Sequence, residues 1–292
     1  MKKLITILIA LLLSTSSMAA EVIQVVWSAA LGNNQGNLVR TITENANKIQ
    51  DKYTFVFISK QGGAGALAAN TVLSLHKPAI LAMSSTFYLT PILLKDSYSV
   101  DKFQLMSLLC VDRPLALYSK KLNSLDTNAM IFIGDGGGPT TLLTKLVANA
   151  LPKLNITQVP FKTAPDATLA MIGGHIDASV DWLGAYNTVV IPGNGVTLLG
   201  ITGKKHIIDN VPLLPGTEHL IADLLLFVPT SIDPTLYKEL HQIFNLAQDV
   251  NTNMYCKNDY GRSTKVEFQQ LNRIHELNKT RWKNMTNGVT TE

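Results

Sequence analysis

Cysteine is scarce in this chain. Cys110 and Cys256 are the only two in 292 residues, and they lie far apart without the spacing of a metal or redox motif. That excludes a cysteine-ligated zinc fold and a small disulfide scaffold. Whether the two bond to each other stays open, because bridge geometry is demanding and spacing does not supply it. The six histidines, at 76, 175, 206, 219, 241 and 275, are scattered, and none has metal-ligand spacing. No serine stands in a nucleophile elbow, and no local spacing presents two carboxylates together. An enzyme is therefore disfavoured, and neither cofactor nor metal is expected. Basic clusters are missing too. The formal charge of +4 falls to +2 (23 basic against 21 acidic) once Lys2 and Lys3 are set aside with the first twenty residues. That is not the balance of a nucleic-acid-binding protein. Internal repeats and low-complexity linkers are absent.

One apolar run stands out, and it is short. Residues 4–13 are apolar, Lys2 and Lys3 precede them, and Ser17-Met18-Ala19-Ala20 follows as a small-residue cleavage site. The run is about half of the ~20 residues a bilayer requires. Residues 1–20 therefore read as a secretory signal peptide and the remainder as an exported protein. No cysteine adjoins the cleavage site to carry a lipid, and export permits a disulfide. With 46% hydrophobic residues, the chain is long enough for two domains, each with its own core.

Beyond the leader, strands alternate with helices. Residues 23–27 read as a strand, followed by a small, polar loop and a helix that Asn33 or Asn34 can cap. Residues 55–58 and 80–83 are further strands, the second ending in Ser84-Ser85-Thr86. Residues 103–118 are richly apolar, include Arg113-Pro114, and read as one or two strands passing between domains. A second series starts at Met130, with a glycine loop over 134–138 and a helix over 140–150. Residues 196–202 form another strand, and 224–228 cross back. Asp233-Pro234 opens a tail helix, and Thr264-Lys265-Val266-Glu267 has the form of a capping box for a last one. Alternation at this spacing means parallel sheets with helical crossovers, here as two α/β lobes with the C-terminal helices returning to the first.

Three stretches carry site chemistry. Gly63-Ala64-Gly65-Ala66-Leu67-Ala68 imitates a dinucleotide fingerprint. The acidic residue wanted about 20 positions later is replaced by Ser84, Ser85 and Thr86, so close strand–helix packing accounts for the glycines. Gly134-Asp135-Gly136-Gly137-Gly138-Pro139-Thr140-Thr141 could cradle an anion at a helix N-terminus, or be a plain turn; it lacks a P-loop's Lys-Ser/Thr ending. Residues 159–181 run from an extended piece through Lys162 and Thr163 into a helix with Pro165 and Asp166 in its first turn. Leu169, Met171 and Ile172 supply that helix's apolar face and Gly173-Gly174 ends it. A strand then delivers Asp181 at its C-terminal end, where open α/β sheets bind ligands.

The same stretch, VPFKTAPDATLAMIGGHIDASVD, resembles the VPYKG…A…LLGG.V…D block of the Bug-type periplasmic receptors of tripartite tricarboxylate transporters. Lys60-Gln61-Gly62-Gly63-Ala64-Gly65 is similar to that family's NRPGAGG, residues 84–91 to its SS…NP segment, and residues 103–118 to its D.F.PVSL……LVV run. Gly200 to Lys205 with Val211-Pro212 resembles the A.T…R….VPT block, and Arg281-Trp282 falls where the last helix often reads RW. The resemblance implies a type II, Venus-flytrap periplasmic binding protein: two lobes, each a mostly parallel sheet flanked by helices. Lobe one would take residues 21–115 plus 229–292 and lobe two residues 116–228. It implies a monomer that captures a small organic anion, a carboxylate above all, and hands it to membrane permease subunits without chemistry. A secreted enzyme on this fold and a receptor signalling to a sensor kinase are the alternatives.

By the same resemblance, first-lobe contacts come from Ala29, Ala30, Gly32, Asn33, Asn34 and Gln35, and from Ser84, Ser85 and Thr86. The second lobe adds Asp135, Gly136, Gly137, Thr140 and Thr141, then Lys162, Thr163 and Asp181. Two departures fall on these loops. Where the family commonly reads PGGGTD, this chain reads Leu31-Gly32-Asn33-Asn34-Gln35-Gly36, so Gly36 replaces an aspartate. The GS.G.GS..HL loop here has Asp135 and Pro139 and no histidine.

Overall fold

A computed structural model of the chain describes residues 20–29, 31–125, 130–185, 187 and 195–287. The expected leader, apart from Ala20, and Ala30 lie outside these residues. No helix among the described residues is long and apolar enough to cross a membrane.

The first sheet grows from β1 (Glu21–Trp27), paired in parallel with β2 (Tyr53–Ser59) and β3 (Ala79–Ser84). Three helices follow these strands in turn: α1 (Asn34–Lys48), α2 (Ala66–Ser74) and α3 (Thr86–Leu93). Alternation along β1 explains why helices cover both faces. Ile23, Val25 and Trp27 enter one buried cluster with Leu38 and Ile42 of α1, while Val26 enters the opposite one with Val72 of α2. Sheets built by such crossovers are buried on both sides, and each large aliphatic so buried contributes about 1.5–3 kcal/mol.

The apolar run after Val100 is one 17-residue strand, β4 (Phe103–Ser119), and it belongs to both lobes. Its first part, to Pro114, pairs antiparallel with β9 (Ile221–Pro229); its last part, from Leu115, pairs with β7 (Ala178–Trp182) and β8 (Thr197–Ile201). The ladder with β9 breaks register between Cys110 and Arg113, and Asp112 there takes a left-handed φ of 60°. The second sheet is completed in parallel by β5 (Met130–Asp135), which pairs with β7 and with β6 (Asn155–Pro160). Its helices are α4 (Pro139–Ala150) and α5 (Ala164–Ile172). The strand order β2-β1-β3-β9-β4-β7-β5-β6 thus places two parallel trios on either side of the antiparallel pair β9 and β4. This is the two-lobed α/β arrangement, with each sheet flanked by helices.

The tail packs on the first lobe: α6 (Pro234–Ala247), α7 (Val250–Asn258), the short β10 (Arg262–Ser263) on β4, and α8 (Leu271–Thr286). Tyr237 and His241 of α6 bond the Leu105 and Met106 carbonyls at 2.7 and 2.8 Å. Cys110 on β4 and Cys256 on α7 form a disulfide with their Cα atoms 5.4 Å apart, which spacing alone had left open.

Three expectations need correction. Along its whole length β9 pairs with β4, and over 224–227 with β3, so the return to the first lobe precedes Ile221 and does not fall at 224–228. The last capping box is Glu267 with Gln270 instead of Thr264 with Glu267, because β10 holds the chain extended on β4 until then. Leu169 is 67% exposed. The buried stripe of α5 is Ala167, Thr168 and Met171, and Leu169 falls on the opposite side of that phase.

Candidate functional site

Parallel strands of each lobe end at a common edge, and their following loops meet between the lobes. One close approach joins the Ser84–Thr86 turn after β3 to the glycine loop after β5. A Cβ built on Gly138 would lie 2.9 Å from the Thr86 methyl, and Gly138 has φ 60°, so glycine is needed there on both counts. Within the second lobe, Gly136 abuts the Thr163 and Ala164 backbone, with no room for a side chain. The 134–141 loop, Thr163 and the Ser84–Thr86 turn are thereby brought together.

What these loops offer is chiefly backbone N–H. Pro139 occupies the first turn of α4, the helix has no side-chain cap, and its first internal bond runs from Leu142 N–H to Gly138 O. The N–H groups of Thr140 and Thr141 are left without a helical acceptor, as at any helix start. α3 also begins without a side-chain cap, at Ser85, with the Ser84 and Thr86 hydroxyls bonded to each other just before it. Two positive helix ends facing one crevice suit an anion.

Several expected site residues have their polar atoms committed elsewhere. Asp135 is buried; its Oδ1 accepts from Gly137 N–H and Thr141 Oγ1, and its Oδ2 from Gln158 at 2.6 Å. Thr140 donates to Gly137 O and accepts from Gly136 N–H. The Thr163 hydroxyl caps α5 through Asp166. Ser85 is buried and exchanges bonds with the Asp223 backbone. Asn33 caps α1 by accepting from Gly36 N–H at 2.6 Å. Asp181 accepts from Trp182 N–H at 2.7 Å, and burial raises its pKa to about 7, with Asp259 adding to the rise. Gly32, Lys162 and Asn33 are exposed, Ala29 and Gln35 half-buried, and Gly137 has open space about its Cα. Lys162 is not joined to another site residue by any described bond.

A second seam lies where β4 passes from the first sheet to the second. Asn34 donates to Asp259 Oδ1 (2.9 Å) and to the Tyr255 carbonyl (3.1 Å), tying the first-lobe loop to the end of α7. Asp259 is met from the other lobe by Gly184, where a Cβ would come within 2.3 Å of that oxygen. Its Oδ2 accepts from Arg113 Nη1 at 3.1 Å. Arg113 is fully buried, and its guanidinium lies 4.6 Å from the Trp182 ring. Burial lowers its pKa, which the Asp259 charge partly restores. Neighbouring Asp112 bonds Arg262 Nε at 2.7 Å and gives its N–H to Asp223, whose other oxygen pairs with Arg281. The sequence reading passed over this cluster; the available signal was a lone arginine inside a 17-residue apolar strand.

Two cavities lie outside the crevice. One of about 310 Å³ is lined by Leu105, Tyr237, Phe268 and His275, and another of about 580 Å³ by Asn70, Tyr98 and Lys102. Both belong to the first lobe alone. Among the described residues, no group of three or more histidine, cysteine or acidic side chains is placed to hold a metal.

No protein-family model and no curated protein matches the sequence. Solved structures do match the fold. The periplasmic binding protein BugD superposes with a TM-score of 0.78 at 18% identity, covering 93% of this chain and 98% of its own. A protein of R. palustris with adipate gives 0.78 at 17% identity, over 93% and 98%. MatC from Rhodopseudomonas palustris with bound malate gives 0.75 at 18%, over 91% and 98%. The chain shares the two-lobed fold of these structures, as its sequence resemblance implied.

Proposed function

We propose that this protein is a periplasmic solute-binding protein of the tripartite tricarboxylate transporter type, which closes on a small carboxylate and presents it to membrane permease subunits. The observation that carries the reading is the facing of two uncapped helix starts, α3 and α4, across the seam between Thr86 and Gly138. Helix N-termini and hydroxyls bind an anion with donors fixed in advance. The ligands of the fold's neighbours, adipate and malate, support the same class. The direct contacts are proposed to be Ser84, Thr86, the N–H groups of Thr140 and Thr141, and the exposed Lys162. Asp135, Thr163 and Ser85, committed within their loops, shape the walls.

Calorimetric titration with adipate, malate and succinate tests the reading, alongside small-angle scattering of the free and bound protein. A saturable heat with a smaller radius of gyration in the bound form is expected, since the lobes would hinge where β4 passes between them. Absence of binding to every acid would defeat it.

A further inference from the structure

Arg113 is a charged side chain buried with most of its donors unpaired. Its side chain is 1% exposed, yet one of its three nitrogens alone has an acceptor. Nε and Nη2 are buried without a hydrogen-bond partner. A charged donor buried without an acceptor is a strongly unfavourable state that native proteins seldom keep. The pattern of vacancy is informative. In a planar guanidinium, Nε–H and the outer Nη2–H point the same way and form the side-on fork that grips both oxygens of one carboxylate. Asp259 takes only the remaining Nη1, so the whole fork is free. Asp259 is also shared, its other oxygen being held by Asn34.

The location is equally specific. Arg113 stands opposite Ala222 in the first sheet, two residues before Leu115 joins Trp182 in the second. Asn34 of the first-lobe loop and Gly184 of the second lobe converge on its partner Asp259, and Trp182, at the C-terminal end of β7, lies beside its guanidinium. Arg113 is thus buried at the junction of the two lobes, at the point where β4 leaves the first sheet for the second.

We propose that Arg113 is the specificity-determining residue of the site, its Nε and Nη2 fork receiving one carboxylate of the bound ligand in a bidentate pair. The inference rests on the carboxylate-binding role proposed above and adds to it a buried cation that the helix ends do not supply. A ligand with two acid groups fits best, one on the fork and one at the helix starts beside Thr86 and Thr140.

The test compares acids with their neutral amides, succinate with succinamide and adipate with adipamide, by calorimetry on the full exported chain. Wild type should prefer the acid. Arg113→Lys keeps the charge beside Asp259 but has no fork, and should lose roughly 10- to 100-fold in acid affinity with amide affinity unchanged. Arg113→Gln with Asp259→Asn removes both charges, leaves no unpaired ion, and should show the same collapse of preference. A merely structural role would weaken acid and amide in parallel, and that outcome overturns the inference while leaving the carboxylate-binding reading in place. Wild type binding none of the acids overturns both. On the unmodified protein, the Arg113 Nε–H nuclear magnetic resonance signal should shift on adding succinate and stay fixed with succinamide. An unmoved signal in protein that binds succinate would mean that the fork holds water instead, and the inference fails.

Discussion

Replacing Asp181 by asparagine should stabilise the protein in alkaline solution and leave it almost unchanged in acid. The residue is 5% exposed, with one oxygen on Trp182 N–H and the other 3.4 Å from Thr168 Oγ1. Asparagine has the same shape, its carbonyl can keep the Trp182 bond, and its amide can donate to Thr168, which has Ser179 as another partner at 3.3 Å. The difference lies in charge. Burial, aided by Asp259, raises the folded pKa from 3.8 to about 7. Below 3.8 the carboxyl is protonated in both states, so its burial costs little. Between 3.8 and 7 the unfolded chain releases the proton and the folded chain keeps it. Stability therefore falls with rising pH by about 1.4 kcal/mol per unit, and above 7 the loss is complete. The whole step, about three pH units at that slope, is on the order of 4 kcal/mol. Urea unfolding of wild type and Asp181→Asn, followed by far-ultraviolet circular dichroism at pH 4 and pH 8, isolates it, because other titrating groups cancel in the difference. The variant should match wild type within about 1 kcal/mol at pH 4 and exceed it by roughly 2–4 kcal/mol at pH 8. An equal effect at both pH values would refute the reasoning. Affinity for the acid, read on the same samples, tells a wall brace (unchanged) from a ligand contact (weakened).

Three further outcomes are expected. Gly138→Ala forces an L-residue to φ 60° and drives a methyl against Thr86, a strain of roughly 1–3 kcal/mol; ligand affinity should fall about tenfold with little loss of secondary structure, and unchanged affinity would mean that this seam takes no part in closure. Removing the bridge with Cys110→Ala and Cys256→Ala frees a loop closed over 146 residues, so the unfolding free energy should drop by about 2–5 kcal/mol; an unmoved urea midpoint would show that the bridge stabilises nothing. Gly36 stands where the resembled family has an aspartate, which removes a negative charge worth about 1 kcal/mol of repulsion toward anions in wet surroundings. Succinate should accordingly bind more tightly than aspartate in calorimetry, and the reverse order would sink the idea.

Local physics was legible in the chain itself. The Asp233-Pro234 start of α6 and the Pro165-Asp166 first turn of α5 were readable within three or four residues, whereas the choice of Asn33 over Asn34 as the cap of α1, and of Thr163 as the cap of α5, came with the structure. Alternation of apolar residues along β1 and the glycine loops after strand ends pointed to two α/β lobes and to the strand-end edge where ligand binding is proposed. Tertiary structure decided everything that joins distant segments. It paired Cys110 with Cys256, brought Asn34 to Asp259 across 225 positions, and set Thr86 against Gly138. It drew one strand through both lobes and left Arg113 buried at their junction with a free fork. Periodicity and capping report on a residue's near neighbours. Which acceptor a buried donor meets depends on how whole sheets are stacked, and a short stretch of sequence holds no record of that.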